Sequence, residues 1–228
     1  MVYLSELTVD GRQHDKRSLL ADSHAMHRWI MRAFPSRESG EVGRVLYRCE
    51  AAKLKRAIIV QSEREPDWSK HQDEGVKIRG PKQWLVSETA SPVFAPGQVL
   101  RFRLLANPIV SREGKRHALT NEAEQIGWLT RKGIQCGFEL VPVRLSAEWV
   151  DPFGDEDGMA QKEVRVLSRG LLRGNKGAGK DSAAIAHFGV EFEGLLKVID
   201  SDLFVSAIRQ GVGPAKGFGF GLLSIAKV

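Results

Sequence analysis

Two histidines three positions apart are the side chains best suited to move a proton. His24 and His27 fall in DSHAMHRWIMRAFP, where that spacing puts both on one face of a helix. The face lies beside the apolar stripe of Met26, Trp29, Ile30 and Ala33. Imidazole, with an unperturbed pKa of about 6.5, gives or takes a proton near neutral pH. An exposed histidine pair is also ordinary helix surface, and periodicity does not choose between the two readings. A metal site would need further ligands nearby, and the local sequence supplies none. Cys49 and Cys136 are far apart, so no C-x-x-C pair offers zinc ligands, and both read as buried, reduced thiols.

Two glycine-rich segments suggest phosphate binding. In GNKGAGKDS, Gly174, Gly179 and Lys180 have P-loop spacing, but Asp181 stands where a hydroxyl must meet magnesium. The following DSAAIAHFGVEF reads as a strand, not as the helix whose N-terminus would receive the anion. The segment is therefore expected to be a basic hairpin tip, with no nucleotide cofactor. In GVGPAKGFGFGLL, Lys216 replaces the third glycine of a dinucleotide loop, and only seven residues follow Gly221, too few for a βαβ unit. What remains is a glycine-dense backbone carrying a lysine, whose N–H groups can approach phosphates. A tight bend before the last strand is the plain alternative.

Basic residues cluster around these segments. Arg101, Arg103, Arg112, Lys115 and Arg116 surround a strand and the loop NPIVSREGKRH, and Lys162, Arg165, Arg169, Arg173, Lys176 and Lys180 follow a strand and its tip. On an unbroken strand Arg165, Arg169 and Arg173 share one face. Two arginine rows with lysine-bearing loops suit a phosphate track, against the alternative of solvated charge.

The elements that must position these residues follow from patterning. VYLSELTV, RVLYRCEA, AIIVQS and QWLVSE read as strands, with the histidine helix capped by Asp22 or Ser23 and a second helix near Trp68. After Pro92, Pro96 and Gly97 the order repeats. VLRFRLLA is a strand, and LTNEAEQIGWLTRKGI is a helix capped by Asn121 and ended at Gly133. FELVPVRLSAEWV, KEVRVLSRGLL and HFGVEFEGLLKVI are long strands, SDLFVSAIRQG is a helix capped by Ser201 and stopped at Gly211, and FGLLSIAKV is the last strand. The fold class is α+β, with two tandem ferredoxin-like (RRM-like) domains and antiparallel sheets, divided near Ala95 into residues 1–95 and 96–228.

Composition agrees. Of 228 residues, 42% are hydrophobic and 27% charged, which excludes a disordered chain, and 34 basic against 28 acidic residues give a net charge of +6 that favours a polyanionic partner. No apolar run approaches a membrane span, and the start has no signal-peptide pattern, so a cytoplasmic location is expected.

Taken together, YLSEL, DSHAMHRWIMRAFP, LLANP with GKRHAL, EAEQIGWLTRKG, VEFEGLLKVID and, most specifically, GVGPAKGFGFGLLSIAKV resemble the CasE family of CRISPR repeat-processing endoribonucleases of the type I-E (Cascade) system. The resemblance runs nearly end to end. It implies an enzyme that binds the stem-loop of repeat RNA and cuts its downstream side without metal or cofactor, leaving a 2′,3′-cyclic phosphate and a 5′-hydroxyl. The family's catalytic helix reads Y-x-x-H. His27 matches the histidine and takes the role of general acid to the 5′-oxygen, while His24 stands in the tyrosine's place and would assist at the 2′-hydroxyl or the phosphate. RNA contacts are expected from Arg28, Arg112, Lys115, Arg116, Arg169, Arg173, Lys176 and Lys180, and from Lys216 with Gly213, Gly217 and Gly219. Expected partners are precursor and mature crRNA and the other Cascade subunits, with no membrane. The alternative is a non-catalytic stem-loop-binding subunit of the same complex.

Overall fold

Alternation along the first strand sets the first sheet. The computed structural model describes residues 1–12, 14–36, 40–50, 55–84, 94–143, 161–162, 164–176 and 183–228. Strand β1 (Val2–Asp10) buries Val2, Leu7 and Val9. It pairs antiparallel with β3 (Lys55–Ser62) and β4 (Lys77–Trp84), and β2 (Val45–Glu50) pairs with β3. The resulting order, β2-β3-β1-β4, is that of a βαββαβ ferredoxin-like unit. Helices α1 (His14–Ala21), α2 (Ser23–Met31) and α3 (Ser69–Asp73) complete it. Met26, Trp29 and Ile30 of α2 join Leu7, Val9, Tyr47, Ile58, Val60 and Trp68 in one core.

The second sheet repeats the order as β11-β12-β5-β13, built from β11 (Val164–Lys176), β12 (Ala183–Val198), β5 (Val99–Ala106) and β13 (Leu223–Lys227). Strand β8 (Phe138–Leu140) extends it along the end of β12. Leu100, Phe102, Leu104 and Ala106 alternate into a core with Val190, Phe192 and Leu196. Trp128 and Leu129 of α4 (Glu122–Gln135) and Phe204 and Ile208 of α5 (Ser201–Gln210) close that core. The architecture is α+β with two tandem ferredoxin-like units and antiparallel sheets. Among the described residues no helix is long and apolar enough to cross a membrane.

Several details depart from the sequence reading. Helix α1 was not expected; its HDKRSLLA is mostly polar. The loop NPIVSREGKRH forms a hairpin of β6 (Ile109–Arg112) and β7 (Lys115–Ala118), turned by Glu113 and Gly114 at φ 51° and 74°, as a tight two-residue hairpin turn requires. The segment FELVPVRLSAEWV forms β8 and the two-residue β9 (Pro142–Val143), which pairs with β10 (Gln161–Lys162); residues 144–150 lie outside the described ones. QWLVSE contributes only the end of β4, and residues 85–93 are also outside. Helix α4 runs past Gly133, where a methyl group would come within 2.9 Å of the Phe138 ring. Asp200, not Ser201, caps α5 by accepting from Leu203 N at 2.9 Å, while Ser201 Oγ donates to Phe94 O. Both cysteines are free thiols, each half-buried rather than fully buried.

One departure bears on the site. The pairing of β11 with β12 slips between Val166 and Ser168. A bulge inserts one residue and exchanges the two faces of the strand beyond it. Arg165 therefore opposes Glu193, whereas Arg169 and Arg173 oppose Val190 and Ala186. Successive residues of β12 alternate in face, so Arg165 does not share the face of the other two.

Candidate active site

Helix α2 is fixed from below before it presents anything to solvent. Asp22 ends α1 and accepts from His24 N and Ala25 N at 2.8 and 3.0 Å, satisfying donors that a helix start leaves open. Glu74, just after α3, accepts from Lys16 Nζ (2.8 Å), Trp29 Nε1 (2.9 Å) and Arg32 (2.7 Å). Burial alone would raise its pKa; the bonds from Lys16, Trp29 and Arg32 outweigh that and hold it at about 2. His71 is fully buried and its Nε2 donates to Trp29 O at 2.9 Å; that partner is a carbonyl, so Nε2 carries the proton.

The C-terminal glycine segment folds back on itself. Gly211 ends α5 at φ 76°, Val212 N donates to Gly221 O at 2.9 Å, and Gly221 N donates to Leu105 O at 2.8 Å. Between them Lys216–Phe218 forms a 3-10 turn. Gly219 is glycine for two reasons: its φ is 87°, and a methyl group there would lie 3.0 Å from the Tyr47 ring. Gly213 similarly backs onto Trp128.

Tyr47 of β2 joins the two parts. Its buried hydroxyl donates to Ser23 O at 3.0 Å and Gly217 O at 3.2 Å, one proton shared between the start of α2 and the glycine turn. The His27 ring rests on that turn: a methyl group on Gly217 would come within 3.9 Å of His27 Nδ1 and Cε1. The His27 and Tyr47 rings are nearly parallel, with centroids 6.5 Å apart. His27, Arg44, Gln210, Lys216 and Gly217 line an open cleft of about 940 Å³. Burial first, then the nearby charge of Arg44, pulls the Lys216 ammonium below its usual pKa.

His24 meets different neighbours. Its ring lies 6.5 Å from that of Phe218, and its buried Nδ1 has no hydrogen-bond partner among the described residues. Gly174, the first glycine of the P-loop-like segment, packs here. A methyl group on it would meet His24 N at 3.0 Å and Phe218 at 3.3 Å, so its smallness serves the approach of β11 to α2.

The basic candidates spread outward from this point. Arg28 is exposed on α2, and Arg112, Lys115 and Arg116 are exposed on the β6–β7 hairpin. Arg169 is already engaged: it donates to Gln125 Oε1 at 3.0 Å and pairs with Glu122 at the start of α4. Arg173 is exposed on β11; Lys176 ends that strand, and Lys180 lies outside the described residues. Among the described residues no three histidine, cysteine or acidic side chains gather as a metal ion requires.

Arg44, Tyr47 and His187 were not singled out from sequence. His187 meets Asn107 Nδ2 through Nδ1 at 3.0 Å and packs edge-on against Phe218, with centroids 4.6 Å apart. All three lie on or beside strands, where spacing gives no chemical signal; only the tertiary fold brings them to the turn.

A family model described as CRISPR associated protein matches residues 2–227. The CRISPR-associated endoribonuclease Cse3 of Thermus thermophilus is 34% identical over 229 residues, covering 99% of this chain and 100% of its own length. The CRISPR system Cascade subunit CasE of Escherichia coli K12 is 32% identical over 143 residues, 57% of this chain and 59% of that one. The structure of Thermus thermophilus Cse3 bound to an RNA representing a pre-cleavage complex aligns with a TM-score of 0.78 at 32% identity, over 99% of this chain and 98% of that one. With the family pattern matched from end to end on the same two-unit fold, the chain belongs to the CRISPR-associated protein family, in its CasE (Cse3) endoribonuclease branch.

Proposed function

We propose that this protein binds the stem-loop of CRISPR repeat RNA, cuts precursor crRNA without metal, and retains the product as a subunit of a Cascade complex. The 2′-oxygen bonds to the adjacent phosphorus, and the P–O5′ bond breaks. His27 gives its proton to the departing 5′-oxygen, leaving a 2′,3′-cyclic phosphate and a 5′-hydroxyl. His24, one turn earlier, takes the proton of the 2′-hydroxyl, or hydrogen-bonds the phosphate while a solvent water takes that proton. Such a reaction needs alignment, a proton donor and cations that offset charge on the phosphorane. Lys216 supplies a cation, and the N–H groups around Gly213, Gly217 and Gly219 approach the strand.

Residues 1–95 form the domain that carries the catalytic helix, and residues 96–228 form the one that carries the glycine turn and the basic strand pair. Arg28, Arg112, Lys115 and Arg116 contact RNA near the cut, and Arg173, Lys176 and Lys180 hold the stem. Arg169 contributes by exchanging Glu122 for a phosphate. A-form RNA admits side chains to its major groove mainly near helix ends, which suits a strand pair at the stem base.

The observation that carries this reading is His27 seated on Gly217 beside Lys216, with the turn tied to α2 through Tyr47. Its test is a repeat RNA with one 2′-deoxy nucleotide on the 5′ side of the scissile phosphate, incubated in chelator beside the all-ribose RNA. The all-ribose RNA should be cut, and the deoxy RNA should bind equally and remain whole. Cutting of the deoxy RNA, or loss of all cutting in chelator, contradicts the mechanism; binding without cutting of either leaves a stem-loop-binding subunit.

A further inference from the structure

The cleft beside His27 contains an arginine that neither the spacing nor the family pattern selected. Arg44 immediately precedes β2 and lines the cleft with His27, Lys216 and Gly217. Its guanidinium makes no ion pair among the described residues; Nε reaches Gln210 Oε1 at 3.4 Å. Glu63, the carboxylate best placed to neutralise it, is otherwise committed. Its Oε2 accepts from the backbone N–H of Arg44 at 2.7 Å, and its Oε1 accepts from Gln210 Nε2 at 3.2 Å and lies 3.8 Å from Arg209. Glu41 is exposed at the rim.

Lys216, on the same cleft, also makes no ion pair among the described residues. The two cations share one cleft, and burial first, then the charge of Arg44, lowers the pKa of the Lys216 ammonium. Like charges that converge beside a proton donor are relieved by an anion placed between them. A planar guanidinium suits a phosphate, because it offers two parallel donors to two oxygens. We propose that Arg44 is a phosphate-binding residue of the cutting site, bracketing the scissile phosphate with Lys216 and offsetting charge on the phosphorane. This inference rests on the reading of His27 and Gly217 as the place of cleavage. Arg44 comes from the first unit and Lys216 from the second, so the phosphate would be held across both.

The test is single-turnover cleavage of labelled repeat RNA at saturating enzyme by Arg44→Ala, Arg44→Gln, Arg44→Lys and, in parallel, His27→Ala. Arg44→Ala and Arg44→Gln should slow cutting about tenfold or more, while RNA affinity stays within a few-fold. Arg44→Lys should recover much of the rate, and added guanidinium ion should partly restore Arg44→Ala but not His27→Ala. Should Arg44→Ala fail to fold, Arg44→Gln decides, because it keeps the length and an amide for Gln210. If His27→Ala is inactive while Arg44→Gln cuts within twofold of wild type, the inference about Arg44 is overturned and the cleft reading stands. If His27→Ala cuts normally, the cleft reading itself fails.

Discussion

His24 marks where this chain leaves the Y-x-x-H pattern, and its packing indicates what the exchange permits. A methyl group on Gly174 would meet His24 N and Cβ first, atoms that a tyrosine also has. His24→Tyr should therefore fold and keep substantial single-turnover activity, while His24→Ala should lose about tenfold or more. If both variants cut like wild type, His24 is a surface residue on a catalytic helix. His27, Lys216 and Gly217 lie in short segments that the sequence displays, and the family resemblance rather than spacing alone gave them their expected roles. It could not name Arg44, Tyr47 or His187, whose neighbours come from distant parts of the chain. The glycines were half legible: the strand that follows GNKGAGKDS is readable from its sequence and is β12, but that Gly174 makes room for α2 needed the packed structure.

Helix α2 has only nine residues and is marginal alone, so it depends on the packing of Met26, Trp29 and Ile30 and on Glu74, which ties Trp29 and Arg32 to Lys16. Glu74→Gln removes the carboxylate from Lys16, which is only 6% exposed. It should cost about 2 kcal/mol or more and slow cutting with little change in RNA affinity, because α2 carries both histidines. The pH dependence has a definite sign. A carboxyl held at about 2 against an ordinary 4.5 stabilises fully above pH 4.5 and loses that contribution as pH falls toward 2. The difference in melting temperature between wild type and Glu74→Gln should be constant near neutrality and shrink in that acid window; a constant difference throughout would remove Glu74 from this role. Strand and helix order was legible because alternation and caps are local. The bulge in β11 was not, because register depends on the partner strand, so the expected three-arginine row divides between two faces. No local pattern marks the β6–β7 hairpin, because its strands are short and polar toward the tip.

The molecule brings its first and last segments together to make one cleft. Besides Tyr47, Arg48 crosses from the first sheet to donate to Arg103 O and Leu222 O, both at 3.3 Å, and Gln61 donates to Ile208 O at 2.7 Å. Buried side chains bonded to backbone carbonyls fix the relative placement of two sheets, because leaving such groups unpaired is costly. The tandem repeat was legible as an order of elements, but the face on which the units meet was not, since no local pattern encodes it. The arrangement gives His27 a neighbour from the far end of the chain, at the place where we propose that this histidine protonates the leaving oxygen. The direct measurement is the single-turnover rate of His27→Ala on repeat RNA at saturating enzyme in chelator, beside its RNA affinity. His27→Ala should cut slower by about a hundredfold or more with affinity within a few-fold; cutting at the wild-type rate would remove His27 from the mechanism.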